Sequence, residues 1–237
     1  MASALKFIAI VPAAGVGKRM QANCPKQYLR INNETILSHT VMRLLNHPLI
    51  SQVIVALGTD DQYFAESKLA HHKDIIRVNG GTERVNSVLN GLKAVDRDKY
   101  PWVLVHDAAR PCVSHQDIDK LITQCLSNDY GGILATPVRD TMKRGICTEG
   151  DSSSIESTVE REQLWHALTP QMYKTDELTL AIEQALENSL KITDEASAIE
   201  QANLPSLLVS ASSENIKITH PNDLALAEFY LNKQAKS

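Results

Sequence analysis

Short runs of Val, Ile and Leu alternate with stretches of helical period along most of this chain, a pattern that predicts a parallel sheet covered on both faces. Continuous apolar runs place strands at Lys6–Pro12, Gln52–Leu57, Ile75–Val78, Trp102–His106, Gly132–Pro137 and Leu207–Ser210. Between them, apolar spacing predicts helices over Ile36–Leu45, Gln62–Ala70, Arg84–Ala94, Gln116–Ser127, Glu177–Asn188 and Pro221–Asn232. Ser114, with Asp117 three residues on, is placed to cap the fourth helix, and Pro221 suits the first turn of the last.

The alternation breaks after Pro137. Arg139 to Val159 holds Gly145, Gly150 and the polar run Asp151-Ser152-Ser153-Ser154, with no helical face. Strand-like pieces at Thr141–Cys147 and Ile155–Val159 flank that run, which leaves two readings, a surface loop or a protruding hairpin. Long loops without structure are uncommon in compact domains, which favours an arm over residues 138–160 that docks on a second subunit. The remainder of residues 1–237 reads as one domain around one sheet.

At 237 residues, 43% of them hydrophobic, the chain is long enough to bury a substantial core. Its formal charge of −4 and pI near 6.1 argue against a general nucleic-acid binder, so any anionic ligand must be held by a local cluster. Cys24, Cys112, Cys125 and Cys147 are scattered, without C-x-x-C spacing or a nearby His at ligand spacing. Reduced thiols in a cytoplasmic enzyme are the expectation. No apolar run reaches membrane-spanning length, and the N-terminal run, followed at once by Pro, Gly and charges, reads as a first strand rather than a leader.

The candidate chemistry sits where predicted strands end. Phe7-Ile8-Ala9-Ile10-Val11 empties into Pro12-Ala13-Ala14-Gly15-Val16-Gly17-Lys18-Arg19, a small-residue loop whose backbone N–H groups can line a phosphate site. Lys18, Arg19 and Lys26 crowd cations behind it. The spacing is neither that of a P-loop nor the three-glycine dinucleotide fingerprint, and a plain tight turn is the competing reading. Asp107, after Val103-Leu104-Val105-His106, stands at the carboxyl end of a strand, where open α/β sheets bind ligands; it is a magnesium candidate beside a triphosphate, or else a turn cap. His106 and Asp107 form no triad, because the chain has no G-x-S-x-G elbow. Gly80-Gly81 opens the third predicted helix, with Ser87 within reach, and permits backbone contact with a flat base. Thr136–Thr141, Val159-Glu160-Arg161, Thr193–Ser197 and Asn215–Thr219 each offer an Arg, Lys or hydroxyl suited to a phosphorylated second substrate, although single basic residues are usually solvated surface.

Several of these motifs, taken in order, carry a resemblance: Pro12-Ala13-Ala14-Gly15-x-Gly17-x-Arg19-Met20, Pro25-Lys26-Gln27, Val105-His106-Asp107-Ala108-Ala109-Arg110-Pro111, Pro137-Val138-x-Asp140-Thr141, Thr193-Asp194-Glu195-Ala196-Ser197 and Asn215-Ile216-Lys217. Over nearly the whole chain the sequence resembles the 2-C-methyl-D-erythritol 4-phosphate cytidylyltransferases of the non-mevalonate isoprenoid pathway. The resemblance implies a Rossmann-like nucleotidyltransferase core, a three-layer α/β sandwich with a mostly parallel sheet, and a homodimer whose arms interlock. It implies transfer of a cytidylyl group from CTP to a polyol phosphate, with Mg2+ as cofactor.

Position by position, the resemblance implies that Ala13, Ala14, Gly15, Gly17, Arg19 and Lys26 hold the triphosphate, and that Arg19 and Lys26 stabilise the transition state. Gly81, Thr82, Ser87 and Ala108 are expected against the cytidine, and Asp107 at the metal. Arg110, Thr141, Arg161, Thr193 and Lys217 are expected on the second substrate, with Arg161 and Lys217 counted among the catalytic cations. In that family the position of Thr82 can be acidic, which removes the warrant for a side-chain contact there and leaves backbone contacts to the base. Ribitol 5-phosphate as acceptor, and a non-catalytic nucleotide-binding regulator, are the alternatives.

Overall fold

The computed structural model describes residues 5–15, 24–147 and 153–236. In chain order the strands are β1 (Phe7–Pro12), β2 (Arg30–Ile31), β3 (Glu34–Thr35), β4 (Ile50–Leu57), β5 (Ile75–Asn79), β6 (Trp102–Val105), β7 (Gly132–Pro137), β8 (Met142–Cys147), β9 (Ser153–Val159), β10 (Trp165–Lys174) and β11 (Leu207–Ser210). The helices are α1 (Ile36–Leu45), α2 (Arg84–Lys93), α3 (His115–Asn128), α4 (Thr175–Glu187), α5 (Glu195–Gln201) and α6 (Asn222–Gln234).

One seven-stranded sheet, in the order β11-β7-β10-β6-β1-β4-β5, organises the chain. Every neighbouring pair is parallel except those made by β10, which runs antiparallel to both β6 and β7. Strand alternation divides the core into two layers. Phe7, Ala9 and Val11 of β1 pack with Leu37, Val41 and Leu44 of α1 and Ile118 and Leu121 of α3, whereas Ile8 and Ile10 face Val88 and Leu92 of α2 and Leu178 and Ile182 of α4. Helix α6 closes a third, smaller cluster with Ile31, Ile36 and Ile218. The chain leaves β1 towards β4 on one side and pairs with β6 on the other, so a switch point opens beyond Pro12 and Val105.

Ser114 accepts the Asp117 N–H at 3.0 Å and caps α3 as its sequence predicts, and Pro221 immediately precedes α6. The segment after Pro137 forms a separate two-stranded antiparallel hairpin, β8 with β9, running from Met142 opposite Val159 to Cys147 opposite Ser153. Ile146 and Ile155 are exposed on it.

One expectation is corrected, and β10 and α5 are elements the apolar spacing does not predict. The helix predicted over Gln62–Ala70 is only a 3-10 turn at Phe64–Glu66. Asp61 Oδ1 accepts the Tyr63 and Phe64 N–H groups, and the Ser67 hydroxyl donates to the Phe64 carbonyl, so local side chains take the backbone groups an α-helix would use. Strand β10 was hidden by Pro170, which reads as a breaker and sits at the register shift between Ala167 and Gln171. Helix α5 is too short to show a period; its start is set by Asp194 and Ser197, which cap each other's backbone.

Gly91 lies inside α2 where that helix meets β1. A Cβ there would stand 2.6 Å from Cγ2 of the fully buried Ile10. Alanine would gain about 1 kcal/mol of helix propensity but meet about 1–3 kcal/mol of overpacking. Gly91→Ala is therefore expected to lower the thermal midpoint by calorimetry, and a rise would show that the β1–α2 layer has room to yield.

Candidate active site

The cleft at the switch point is lined by the loops after β1, β5 and β6 together with Lys26, Gln27 and Lys217. On the β1 side the Ala13 N–H donates to Ala56 O (2.8 Å), and the buried Gln27 amide donates to Ala13 O (2.7 Å), which pins the start of the loop. Ala14 and Gly15 continue it into the cleft, while Gly17 and Arg19 lie outside the described residues.

The loop after β5 lies directly against it. A Cβ on Gly80 would stand 2.4 Å from the Ala14 Cβ, so this approach requires glycine at that position. The Gly81 N–H donates to Ser87 Oγ (3.0 Å), whose hydroxyl donates in turn to Glu83 O (3.3 Å). Ser87 thus holds the loop closed. The Thr82 hydroxyl donates to Asn86 Oδ1 (3.2 Å), which also accepts the Glu83 N–H (3.1 Å) at the start of α2.

Asp107 is the electrostatic centre, its carboxylate almost wholly buried. Oδ1 accepts Arg84 Nε at 3.0 Å; Oδ2 stands 2.9 Å from Lys217 Nζ and 3.5 Å from Arg110 Nε. Burial opposes its ionisation, but the Arg84, Lys217 and Arg110 cations outweigh burial and hold the carboxyl well below the usual carboxylate range. Arg84 carries a second carboxylate: its NH1 and NH2 groups donate to Glu195 Oε1 (2.6 Å) and Oε2 (3.0 Å). Burial works against that guanidinium, yet Glu195 and Asp107 raise it above an ordinary arginine.

Behind Asp107 the polar groups form one directed chain. His106 is fully buried, and burial pushes its imidazole down to about 4, so it is neutral at pH 7. Arg110 O can only accept, so His106 Nε2 donates to it (2.9 Å) and Nδ1 must accept the Thr169 hydroxyl (2.9 Å). Thr169 Oγ1 then accepts the Asp107 N–H (3.0 Å). Asn215 joins the same scaffold, donating to Thr169 O (2.7 Å) and accepting Arg110 NH1 on its own carbonyl (2.7 Å).

Among the residues singled out from sequence, Ala13, Ala14, Gly15, Lys26, Gly81, Thr82, Ser87, Asp107, Ala108 and Lys217 meet in this cleft. Lys26 Nζ donates to Ile218 O (3.1 Å), next in sequence to Lys217, so the two lysines reach the same rim. Arg110 is buried behind Asp107 and does not line the cleft. Thr141 and Thr193 are exposed outside it; the Thr193 N–H bonds Ser197 Oγ at the start of α5. Arg161 is exposed at the base of the hairpin, where its guanidinium donates to Arg139 O. Arg84, Glu195, Gln27 and Thr169 were given no part by sequence reasoning. Gln27 and Glu195 stand inside motifs noted for their neighbours and Arg84 opens a predicted helix, whereas nothing in the sequence marks Thr169.

A magnesium ion held by the protein alone does not fit this donor set. Both Asp107 oxygens face cations, and no group of three His, Cys, Asp or Glu side chains that could hold a metal occurs among the described residues.

The 2-C-methyl-D-erythritol 4-phosphate cytidylyltransferase (IspD) family model matches residues 7–233. The protein of that name from Colwellia psychrerythraea strain 34H is 91% identical over 241 residues, covering 100% of this chain and 99% of its own length. Its namesake from Vibrio vulnificus strain CMCP6 is 57% identical over 235 residues, covering 98% of this chain and 97% of its own. The crystal structure of the Francisella tularensis 2-C-methyl-D-erythritol 4-phosphate cytidylyltransferase matches with a TM-score of 0.80 at 37% identity, over 95% of this chain and 99% of that one. This chain belongs to the 2-C-methyl-D-erythritol 4-phosphate cytidylyltransferase family.

Proposed function

We propose that this cleft transfers a cytidylyl group from CTP to 2-C-methyl-D-erythritol 4-phosphate, giving 4-diphosphocytidyl-2-C-methyl-D-erythritol and pyrophosphate. Lys26 and Lys217 converging on one rim, opposite backbone loops too close-packed for side chains, is the observation that carries this reading. Such a site holds phosphates by backbone N–H groups and meets developing charge with fixed cations. A non-catalytic regulator has no need of that concentration of cations.

The acceptor brings its own nucleophile. A phosphate monoester, with its second pKa near 6, is largely a dianion at neutral pH, so no general base is required. One of its oxygens attacks the α-phosphorus in line; the new P–O bond forms as the bond to the β-phosphate oxygen breaks, and pyrophosphate leaves. In this scheme Ala13, Ala14, Gly15 and Gly17 cradle the triphosphate, and Arg19 and Lys26 act on the charge that accumulates at the α-phosphate. Gly81, Thr82, Ser87 and Ala108 bound the cytidine. Lys217, with its ammonium held at Asp107, takes the acceptor phosphate. Magnesium is proposed to enter on CTP as part of the substrate, neutralising its phosphates.

The exposed hairpin is proposed as the arm of a homodimer. A lone two-stranded hairpin is marginal in water, and Ile146 and Ile155 leave it with uncovered apolar surface. Such a dimer would carry Thr141 and Arg161 away from their own subunit's cleft and towards the partner's. Arg110 would act from behind Asp107, and Thr193 from the α5 side. Free Cys24, Cys112 and Cys125 support a reducing, cytoplasmic setting, and among the described residues no helix is long and apolar enough to cross a membrane.

Pyrophosphate release should be fast with CTP and methylerythritol 4-phosphate and slow with ribitol 5-phosphate; equal rates would remove the acceptor assignment. Replacing CTP by UTP should cost up to about 10⁴-fold in kcat/KM, because backbone groups matched to cytosine are left unpaired. Lys26→Ala should lower kcat by roughly 10²- to 10³-fold with little change in thermal midpoint, and near-normal turnover would take Lys26 out of the chemistry. Ile155→Asp is expected to shift the protein from dimer to monomer by light scattering. A dimer that survives it would place the interface elsewhere.

A further inference from the structure

We propose that Glu195 is a positioning residue for the transfer reaction: acting through Arg84, it aims the Asp107 carboxylate at Lys217 and keeps the Arg84 guanidinium from binding substrate phosphate. The inference rests on the reaction proposed above.

Glu195 is 2% exposed and does not line the cleft. It is the first residue of α5, yet the cap of that helix is made by its neighbours: Asp194 accepts the Ser197 N–H, and Ser197 Oγ accepts the Asp194 N–H. Its carboxylate is instead spent wholly on Arg84, one oxygen to each terminal nitrogen. A fork of this kind fixes the guanidinium plane as well as its place. With both ends held, Nε is left pointing at Asp107 Oδ1.

Two consequences follow for the cleft. Arg84 lines it, and an arginine with a free fork is a strong bidentate phosphate ligand. Glu195 occupies that fork. Asp107, in turn, has Oδ1 fixed by Arg84, which sets Oδ2 towards Lys217 at 2.9 Å. The result is an alternating row, Glu195, Arg84, Asp107, Lys217, that begins in the core and ends on the cation facing the acceptor. An ion pair serving only to tie α2 to α5 would need neither the Nε contact nor a place on the cleft wall.

Glu195→Gln preserves the shape but sets an amide N–H against an arginine N–H. The expected result is a 10- to 100-fold fall in kcat, the usual scale for groups that orient a functional residue, with KM for CTP unchanged or lower because the freed Arg84 reaches the triphosphate. Arg84→Lys, which keeps the charge and loses the fork, should reproduce the fall in kcat, and it carries the test if Glu195→Gln does not fold. Glu195→Asp should restore part of the loss.

The deciding measurement is a double-mutant cycle on single-turnover rates. In an Asp107→Asn background with CTP saturating, Glu195→Gln should have little further effect on the rate, because its route through Asp107 to Lys217 is already cut. Equal losses in both backgrounds, or a lowered thermal midpoint with kcat unchanged, would overturn the proposal. No turnover by the wild-type protein with CTP and methylerythritol 4-phosphate would sink the transfer reading and this inference together, whereas wild-type turnover with additive losses sinks the inference alone.

Discussion

A carboxylate buried at the end of a sheet strand is stable only if cations are brought to it, and Asp107 draws Arg84, Arg110 and Lys217 from three separate segments. Removing one partner from such a buried cluster typically costs about 3–5 kcal/mol, so the segments are not independent. Arg84 fixes the start of α2 and, with it, the Gly80–Gly81 turn. Lys217 and the Asn215 carbonyl tie the loop after β11 to the end of β6, and Ile218 O holds Lys26 beside them. The cleft is therefore assembled around one ionised group, and its loops keep their places because that charge is met.

The sheet makes this possible at low cost. Parallel strands bring the ends of β1, β4, β5 and β6 to one edge, where loops can converge without crossing the core. Against that pattern β10 runs the other way and places Thr169 beside His106. The neutral imidazole then links Thr169 to the Arg110 carbonyl, so the backbone carrying Asp107 is anchored by groups that hold no charge themselves. Burial keeps His106 in that state near neutral pH.

Most of the fold could be read from the order of apolar runs, because a strand buried on both faces leaves a continuous signature in the chain. Residues 62–70 show the limit: their apolar spacing fits a helix, but Asp61 and Ser67 divert the backbone, and no periodicity records a hydrogen bond from a side chain. The cleft was legible wherever one segment held both a small-residue turn and a cation, as with Ala13 to Lys26 or Asp107. Arg84 and Glu195 were illegible for the opposite reason. They lie far apart in sequence, and each alone looks like a solvated charge near a helix start; only the meeting of α2 and α5 makes them partners.

On the proposed reading of the cleft as a phosphate site, charge balance explains why so many cations can stand there without trapping the product. Two carboxylates, Asp107 and Glu195, sit among Arg84, Arg110 and Lys217, and both act on Arg84, whose fork would otherwise be the strongest phosphate ligand on the wall. Lys217 is left with a carboxylate that is itself shared between cations. In the proposed scheme its ammonium stays on Asp107 while it takes the acceptor phosphate, and sharing one cation between two anions limits how tightly the ground state is held. A cation fixed in place before the reaction can still favour the greater charge of the transition state, since the charge added during transfer meets a dipole that needs no rearrangement.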